Sequence, residues 1–540
     1  MFGQMMSWSL TIPKMLEYAA AYHADTEIVT RTVEGPIHRY GYGDAAKRTR
    51  KLANALKRLG VAEGDILGTV AWNTYRHFEI YYAVSGIGAI CHTINPRLFP
   101  EQIAYIANHA EDKYLFVDLT FVPLLDKLAP HLKGVKGYVI MTDRAHMPAS
   151  TTLPNAICYE ELIADEPDTI DWPDIDERLA SSLCYTSATT GNPRGVLYSH
   201  RSTVLHSFGA CLGLESGSAT NVVLPVVPMF HVNAWGVPYW APMVGCKLVF
   251  PGPGMDGASL QSLMNDEGVQ LALGVPTVWL NLLNYLDAND KQLTTLKNTV
   301  IGGSACPQSM IEAFDKRGVH VVHAWGMTEM SPLGTVNSPK VKHLGQTHAQ
   351  KMAFSLKQGR PIFGVEIKIV DAENKPLPWD GVAFGALKVR GPWICNSYFK
   401  APPQGTHDAD GWFDTGDVAT VDTDGYIELV DRTKDVIKSG GEWISSIQLE
   451  NVAMAHPAVR EAAAIARHDT KWSERPRLIL VLKDGAKVTT EEMRTFFEGK
   501  VAKWAVPDDV VIVDQLPHTA TGKILKRELR DKYGTENVAS

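Results

Sequence analysis

The sequence predicts an α/β protein in which a large N-terminal domain, made of two stacked α/β subdomains and a β-barrel-like subdomain, precedes a small C-terminal α+β domain. Three observations carry this prediction. Between Ile66 and Ala305, short apolar runs alternate with helix-length segments, the pattern of β/α units around largely parallel sheets. After Arg360 the runs are close-set and separated by Gly and Asp, as in antiparallel hairpins. From about Asp435 a second, smaller alternation of helices and strands begins.

In chain order, the N-terminus reads as a short arm followed by an amphipathic helix. The first α/β set comprises strand 66–73, helix 75–88, strand 89–95, helix 103–112 and strand 113–118. The second has strands within 222–230, 247–252, 269–276 and 298–305, each ending in Gly, Pro or a polar turn, with helix-length stretches such as 278–287 between them. Runs at 365–371, 385–391, 411–422 and 425–431 make the antiparallel region. The last domain reads as helix 447–456, strands 458–467 and 477–485, helix 489–503, strand 510–516 and a basic amphipathic helix over 523–534. The expected domains are 1–434 and 435–540. At 540 residues the chain needs more than one core, because a single core stops growing near roughly 250–300 residues. It shows no solenoid repeat and no low-complexity tract.

Composition excludes several classes. Hydrophobic residues are 45% and charged residues 21%, which argues against disorder. A formal net charge of -8 gives no general attraction for nucleic acid or an anionic membrane, so any phosphate binding must be local. The seven cysteines are scattered and never form a CxxC pair, which argues against a metal cluster or a disulfide framework. The N-terminus lacks the basic start, apolar run and small-residue cleavage site of a secretory signal, and no stretch approaches the roughly 20 apolar residues of a membrane span. A cytoplasmic small-molecule enzyme is expected.

Six segments suit a ligand, and each also has an ordinary structural reading. Thr186-Ser187-Ala188-Thr189-Thr190-Gly191-Asn192-Pro193-Arg194-Gly195 offers hydroxyls, close backbone approach and a cation for polyphosphate, or is a plain loop; it is not a GxxxxGK[ST] string. His231, in the stretch 228–236, is a reacting-group neighbour or a satisfied core histidine. Gly302-Gly303-Ser304-Ala305-Cys306 is a pocket wall or a tight turn; Cys306 stands where a hydrolase elbow needs Gly. Trp325-Gly326-Met327-Thr328-Glu329 offers an aromatic face, a hydroxyl and a carboxylate, or is a capped helix entry. Asp417 in 411–417, with Arg432 and Asp435 beyond it, reads alone as part of a β-turn. Lys523, in 516–524, reads alone as a solvated charge.

Together and in this order, the six segments resemble the adenylate-forming superfamily of acyl-CoA synthetases, luciferases and peptide-synthetase adenylation domains, over nearly the whole chain. The resemblance implies that Thr186, Ser187, Thr189, Thr190, Gly191 and Arg194 cradle the phosphates of ATP. Two positions depart from the family string: Ala188 stands where Gly is usual, and Arg194 where Lys is usual. His231 is then expected beside the carboxylate and ATP, Trp235 and Gly302 at the acyl pocket, and Gly303, Ser304 and Ala305 along the acyl and adenine wall. Trp325, with Gly326 and Met327, is expected against adenine, Thr328 at the α-phosphate and Glu329 as a Mg²⁺ ligand. Asp417 is assigned to the ribose hydroxyls and Arg432 to ribose or phosphate. Lys523 is expected to bridge carboxylate and α-phosphate. Asp435 is the implied hinge of a mobile small domain, which then presents Lys438, Gly440, Gly441, Glu442 and Trp443 as a thiol channel, unless that stretch is only a hairpin turn.

The implied reaction has two halves. A carboxylate attacks the α-phosphorus of ATP and releases pyrophosphate; the acyl group of the adenylate then passes to coenzyme A. ATP, Mg²⁺ and coenzyme A are the expected cofactors and co-substrate, a small carboxylic acid is the expected partner, and a homodimer the expected assembly. No acidic residue stands in 231–235 to pair with an ammonium, which argues against an amino-acid substrate. Trp235 either closes a tunnel to long chains or belongs to the core. Strings at 71–98, 439–446 and 471–476 are similar to short- and medium-chain acyl-CoA ligases, including those acting on 3-methylmercaptopropionate from dimethylsulfoniopropionate. A carrier-protein acceptor or an aryl acid stays open. A non-catalytic nucleotide binder is the rival, opposed by the presence of Glu329, Asp417, Arg432 and Lys523.

Overall fold

Ile66–Val70, an apolar run buried along its whole length, is central to a seven-stranded sheet in this computed structural model, which describes residues 1, 3–186, 192–214, 217–371, 373–401, 406–440, 442–518 and 524–535. The strand order is Ala156–Cys158, Gly137–Ile140, Tyr114–Val117, Ile66–Val70, Ile90–Thr93, Ala180–Tyr185, Gly195–Ser199. All neighbours are parallel except the last two, which run antiparallel with Tyr185 opposite Gly195.

A nine-stranded sheet forms the second layer. Its parallel centre runs His320–Gly326, Asn298–Ile301, Leu271–Gly274, Val222–Pro225, Lys247–Phe250 and Glu27–Arg31. Antiparallel strands close both edges: Leu333–Val336 and Arg360–Pro361 on one side, Ile37–Gly41 on the other. The N-terminal strand Glu27–Arg31 therefore joins the second sheet, not the first. Helix Tyr75–Gly86 explains how the two sheets stack. Every residue of it is buried, as expected for a helix covered on all sides. One apolar cluster takes Phe78 and Tyr82 of this helix together with Leu67 and Phe116 of the first sheet and Leu248 and Phe250 of the second. Glu79, fully buried in the same helix, is matched by Arg48 at 2.7 Å and by the Tyr159 hydroxyl at 2.6 Å, which removes the cost of an unpaired interior charge.

The antiparallel region is a four-stranded sheet in the order Glu366–Val370, Phe384–Arg390, Phe413–Val421, Ile427–Arg432. Ile367, Leu387, Val389 and Phe413 on its inner face join the main core, and a bridge from Ile427 to Gly359 ties its last strand to the edge of the nine-stranded sheet.

The remaining sheet has five strands: Glu442–Ile444, Ile437–Ser439, Ser473–Leu482, Val459–Asp469 and Asp509–Ile512. Helices Ser446–Met454, Thr490–Phe497 and Lys526–Tyr533 pack on it around separate apolar clusters. The helix expected over 489–503 ends at Phe497, just before Gly499, whose φ of +74° is a conformation that glycine takes at helix ends without strain. Among the described residues, no helix is long and apolar enough to cross a membrane.

Candidate active site

Four of the expected segments leave the carboxyl ends of parallel strands, where open α/β sheets place their ligands. Tyr185 leads into the 186–194 loop, Pro225 into 226–236, Ile301 into Gly302–Ala305, and the strand His320–Gly326 into Met327–Glu329. Side chains then connect them. The Tyr198 hydroxyl, one strand beyond the loop, donates to the Thr328 carbonyl at 2.6 Å, and Cys184, Val196, Tyr198, Val232 and Tyr398 share one apolar cluster.

The stems of the phosphate-type loop are closed by Thr186 N–H donating to the Arg194 carbonyl at 2.9 Å and Arg194 N–H donating to Thr186 Oγ1 at 3.2 Å. Ser187, Ala188, Thr189, Thr190 and Gly191 lie outside the described residues. The guanidinium of exposed Arg194 lies 4.1 Å above the ring of Tyr398. The Tyr398 hydroxyl in turn donates to Glu329 Oε1 at 2.6 Å. Burial first, and then the Glu329 carboxylate, push the Tyr398 phenol up, so it stays protonated as a donor.

Thr328 and Glu329 are buried, and the Cys395 N–H fixes the Glu329 carbonyl at 2.7 Å. Gly326 cannot be any other residue without movement, because a Cβ there would stand 1.9 Å from the Pro332 carbonyl oxygen. Among the described residues no group of three or more His, Cys, Asp or Glu side chains could hold a metal ion. A single buried carboxylate, joined through Tyr398 to Arg194 of the loop stem, fits Mg²⁺ that arrives with nucleotide phosphates, which commonly takes one or two carboxylates and completes its shell with phosphate and water.

Asp417 is held from two sides. Its Oδ2 accepts the Trp325 indole N–H at 3.1 Å, and its Oδ1 pairs with Arg432 Nε at 2.8 Å, while Arg432 Nη1 also donates to the Thr415 carbonyl at 3.0 Å. Trp325 is 7% exposed and its ring packs over Gly334, so most of the face expected for adenine is covered.

The stretch after His231 adopts a left-handed turn. Val232, Asn233, Ala234 and Trp235 have φ between +48° and +55°, and Gly236 has +78°. Left-handed backbone costs roughly 1–2 kcal/mol per non-glycine residue, so this turn needs outside support. Asn233 supplies it: its amide donates to Ser182 Oγ at 3.0 Å and its carbonyl accepts from the Cys184 thiol at 3.5 Å, tying the turn to the strand before the loop. At its end, a Cβ on Gly236 would lie 2.8 Å from His206 Cε1. Burial holds His206 down to about 3, so it is neutral and its Nε2 accepts the Leu333 N–H at 3.2 Å. The turn sets half-buried Trp235 against the glycine wall: a Cβ on Gly302 would meet its ring at 3.3 Å and one on Gly303 at 4.0 Å. Gly303 and Ser304 are exposed, Ala305 and His231 half-buried.

The expected hinge residue Asp435 pairs with Arg530 of the last helix, and its N–H donates to the Arg432 carbonyl at 2.8 Å. Ile437–Ser439 pairs antiparallel with Glu442–Ile444, and Lys438 N–H donates to Glu474 at 2.6 Å. Gly440 has φ +60°, and a Cβ there would meet the Trp472 ring at 2.7 Å; the glycine accommodates Trp472. Gly441, the side chains of Glu442 and Trp443, and Lys523 lie outside the described residues. Sequence reasoning missed Tyr398, Tyr198, the tether role of Asn233, and Trp472. Asn233 and Trp472 lay in strings already singled out, 228–236 and 471–476, but nothing local marks their contacts, and nothing marks Tyr398 or Tyr198.

Residues 16–399 match the family described as AMP-binding enzyme, and residues 448–523 the AMP-binding enzyme C-terminal domain. The chain is 51% identical over 536 residues to a medium-chain-fatty-acid–CoA ligase of Ectopseudomonas oleovorans, covering 99% of this chain and 98% of that protein. It is 52% identical over 535 residues to a 3-methylmercaptopropionyl-CoA ligase of Ruegeria lacuscaerulensis, covering 99% of each. Among solved structures, the anthranilate CoA ligase AuaEII in complex with anthranoyl-AMP matches with a TM-score of 0.86 at 24% identity, covering 98% of both chains. ATP-bound MatB from Rhodopseudomonas palustris matches at 0.82 and 20%, covering 98% of this chain and 99% of that one. These two structures show the same fold. With the family match running through most of its length and relatives matching it end to end, this chain belongs to the AMP-binding enzymes.

Proposed function

We propose that the protein is an ATP-dependent acyl-CoA ligase that forms an acyl-adenylate and then a thioester. The observation that carries this reading is the linkage, through the single segment 325–329, of two sets of contacts: Glu329 joined by Tyr398 to Arg194 of the loop stem, and Trp325 donating to Asp417, which Arg432 also holds. The relatives named as CoA ligases support the choice of acceptor. Asp417 and Arg432 bind the ribose, the loop from Thr186 to Arg194 cradles the phosphates, and Thr328 meets the α-phosphate. Glu329 holds Mg²⁺, which when bound offsets phosphate charge. His231 orients the carboxylate, and Lys523 draws it to the α-phosphorus by balancing the two anions. Trp235 against Gly302 ends the acyl pocket, which suits a short or medium chain or 3-methylmercaptopropionate. The protein works in the cytoplasm, as a homodimer, with domains 1–434 and 435–540 turning about Asp435. After the turn, the hairpin with Lys438, Gly440, Gly441, Glu442 and Trp443 borders the pantetheine arm.

Acid-dependent pyrophosphate exchange, followed by addition of coenzyme A, tests the reading. Propionate, butyrate, hexanoate, octanoate, 3-methylmercaptopropionate and benzoate form the panel. Lys523→Ala should slow exchange by at least about 10²-fold, the scale of losing one key stabiliser. Asp435→Pro, which fixes φ at the hinge, should impair thioester formation more than exchange. Exchange without thioester would replace the acceptor by a carrier protein; no exchange would leave a nucleotide binder.

A further inference from the structure

We propose that Tyr398 is a positioning residue that sets the phosphate-loop cation and the metal-holding carboxylate with one side chain, its ring carrying the Arg194 guanidinium and its hydroxyl fixing Glu329. The proposal rests on the adenylation reading above. Its starting point is the geometry: guanidinium to ring 4.1 Å, hydroxyl to Glu329 Oε1 2.6 Å, with Tyr398 only 8% exposed.

The backbone holds this side chain in register with both of its clients. Phe399 N–H, next in sequence, donates to the Gly195 carbonyl at 2.8 Å, which anchors the segment to the strand that leaves the loop. Three residues earlier, Cys395 N–H donates to the Glu329 carbonyl at 2.7 Å. Tyr398 therefore sits between two fixed points, one on the loop stem and one on the Glu329 turn. A displacement of either is felt by the other through a single rigid ring.

The chemistry accounts for the identity of residue 194. A planar guanidinium can lie flat on an aromatic face while its N–H donors, which point outward in the plane, are not used by the stack. A lysine ammonium is a compact point charge on a flexible stem and cannot share that geometry. The Arg that stands where the resembling family string carries Lys is thus matched by a ring placed to support it. The hydroxyl, meanwhile, satisfies one carboxylate oxygen of Glu329 and fixes the direction in which the other coordination sites face. A hydrogen bond to a charged group contributes roughly 1.5–3 kcal/mol, about 10- to 100-fold in an equilibrium constant.

The test uses the full-length protein with four variants: Tyr398→Phe, Tyr398→Leu, Arg194→Lys, and the double variant Tyr398→Leu/Arg194→Lys. Binding of α,β-methylene-ATP is followed by calorimetry across a Mg²⁺ titration, alongside pyrophosphate exchange and thermal unfolding. Tyr398→Phe keeps the platform and removes the hydroxyl. It should raise the Mg²⁺ concentration needed for half-maximal nucleotide binding about tenfold. Arg194→Lys should weaken analogue binding in the wild-type background, but by less than twofold when Tyr398 is already Leu. A merely structural role would lower the unfolding temperature of Tyr398→Leu and leave both binding curves in place, which overturns the proposal. So would Tyr398→Phe with an unchanged Mg²⁺ dependence, or full additivity in the double variant. Loss of acid-dependent exchange by the wild type would sink the ligase reading, whereas the calorimetric arms would still decide the role of Tyr398.

Discussion

Asp417, the carboxylate proposed for the ribose, shows how one buried side chain is balanced and aimed. An isolated carboxylate at 5% exposure would be costly, and here it is balanced by Arg432 and aimed by the Trp325 indole. Trp325→Phe keeps an aromatic ring, though a smaller one, and deletes the N–H. We expect the KM for ATP to rise about tenfold, with the KM for the acid changing by less than twofold, as measured in pyrophosphate exchange. An unchanged KM for ATP would remove Trp325 from the ribose clamp. Both residues were singled out from their local strings, yet their contact was not. They lie 92 positions apart, and no periodicity reports a pairing at that distance.

The left-handed turn 232–236 is a local structure that its own sequence disfavours. Four consecutive non-glycine residues, one of them the β-branched Val232, occupy a region that L-residues avoid, and the strand end at Ser182 and Cys184 repays part of the cost through Asn233. Asn233→Val removes both tethers and places a second β-branched residue at positive φ. It should destabilise the protein by about 2–4 kcal/mol in denaturant titrations, through loss of a buried network and backbone strain. It should also broaden the acyl-chain preference, because Trp235 would no longer be fixed against Gly302. Unaltered kcat/KM ratios across the acid panel, in a variant that is measurably less stable, would separate the turn from specificity. The β/α elements themselves were readable, since buried parallel strands leave unbroken apolar runs. The turn was not, because its conformation is imposed by contacts with the other sheet.

Across the molecule, burial keeps several histidines neutral. His77 and His323 are held down to about 4 and His206 to about 3, all by burial first. A folded-state value below the unfolded one, near 6.5, means that the unfolded chain binds more protons between those limits. The stability contribution of a neutral His206 is therefore complete above about pH 6.5 and is lost as pH falls towards 3. Relative to His206→Gln, the wild type should lose roughly 1.4 kcal/mol of stability per pH unit below 6.5. Unfolding free energies of the pair from pH 7 to pH 4.5 check this, and a constant difference would refute it. Ser446 N–H of the small domain meets Asp431 of the large one at 2.5 Å, and within the small domain Arg530 of the last helix reaches back to Asp435.

Apolar runs of strand length, helix-length segments between them and turn residues at their ends determine the α/β layers and the separate C-terminal sheet, because burial on both faces is written into composition over a few residues. The motif strings likewise singled out Glu329, Asp417 and Arg432 as candidates. Tertiary packing alone decided that Glu27–Arg31 would enter the second sheet, that Tyr398 would lie between Arg194 and Glu329, and that Asn233 would bend the chain left-handed towards Gly302. These depend on groups brought together from distant parts of the chain, where the gain from each contact exceeds the local preference and leaves no trace in spacing.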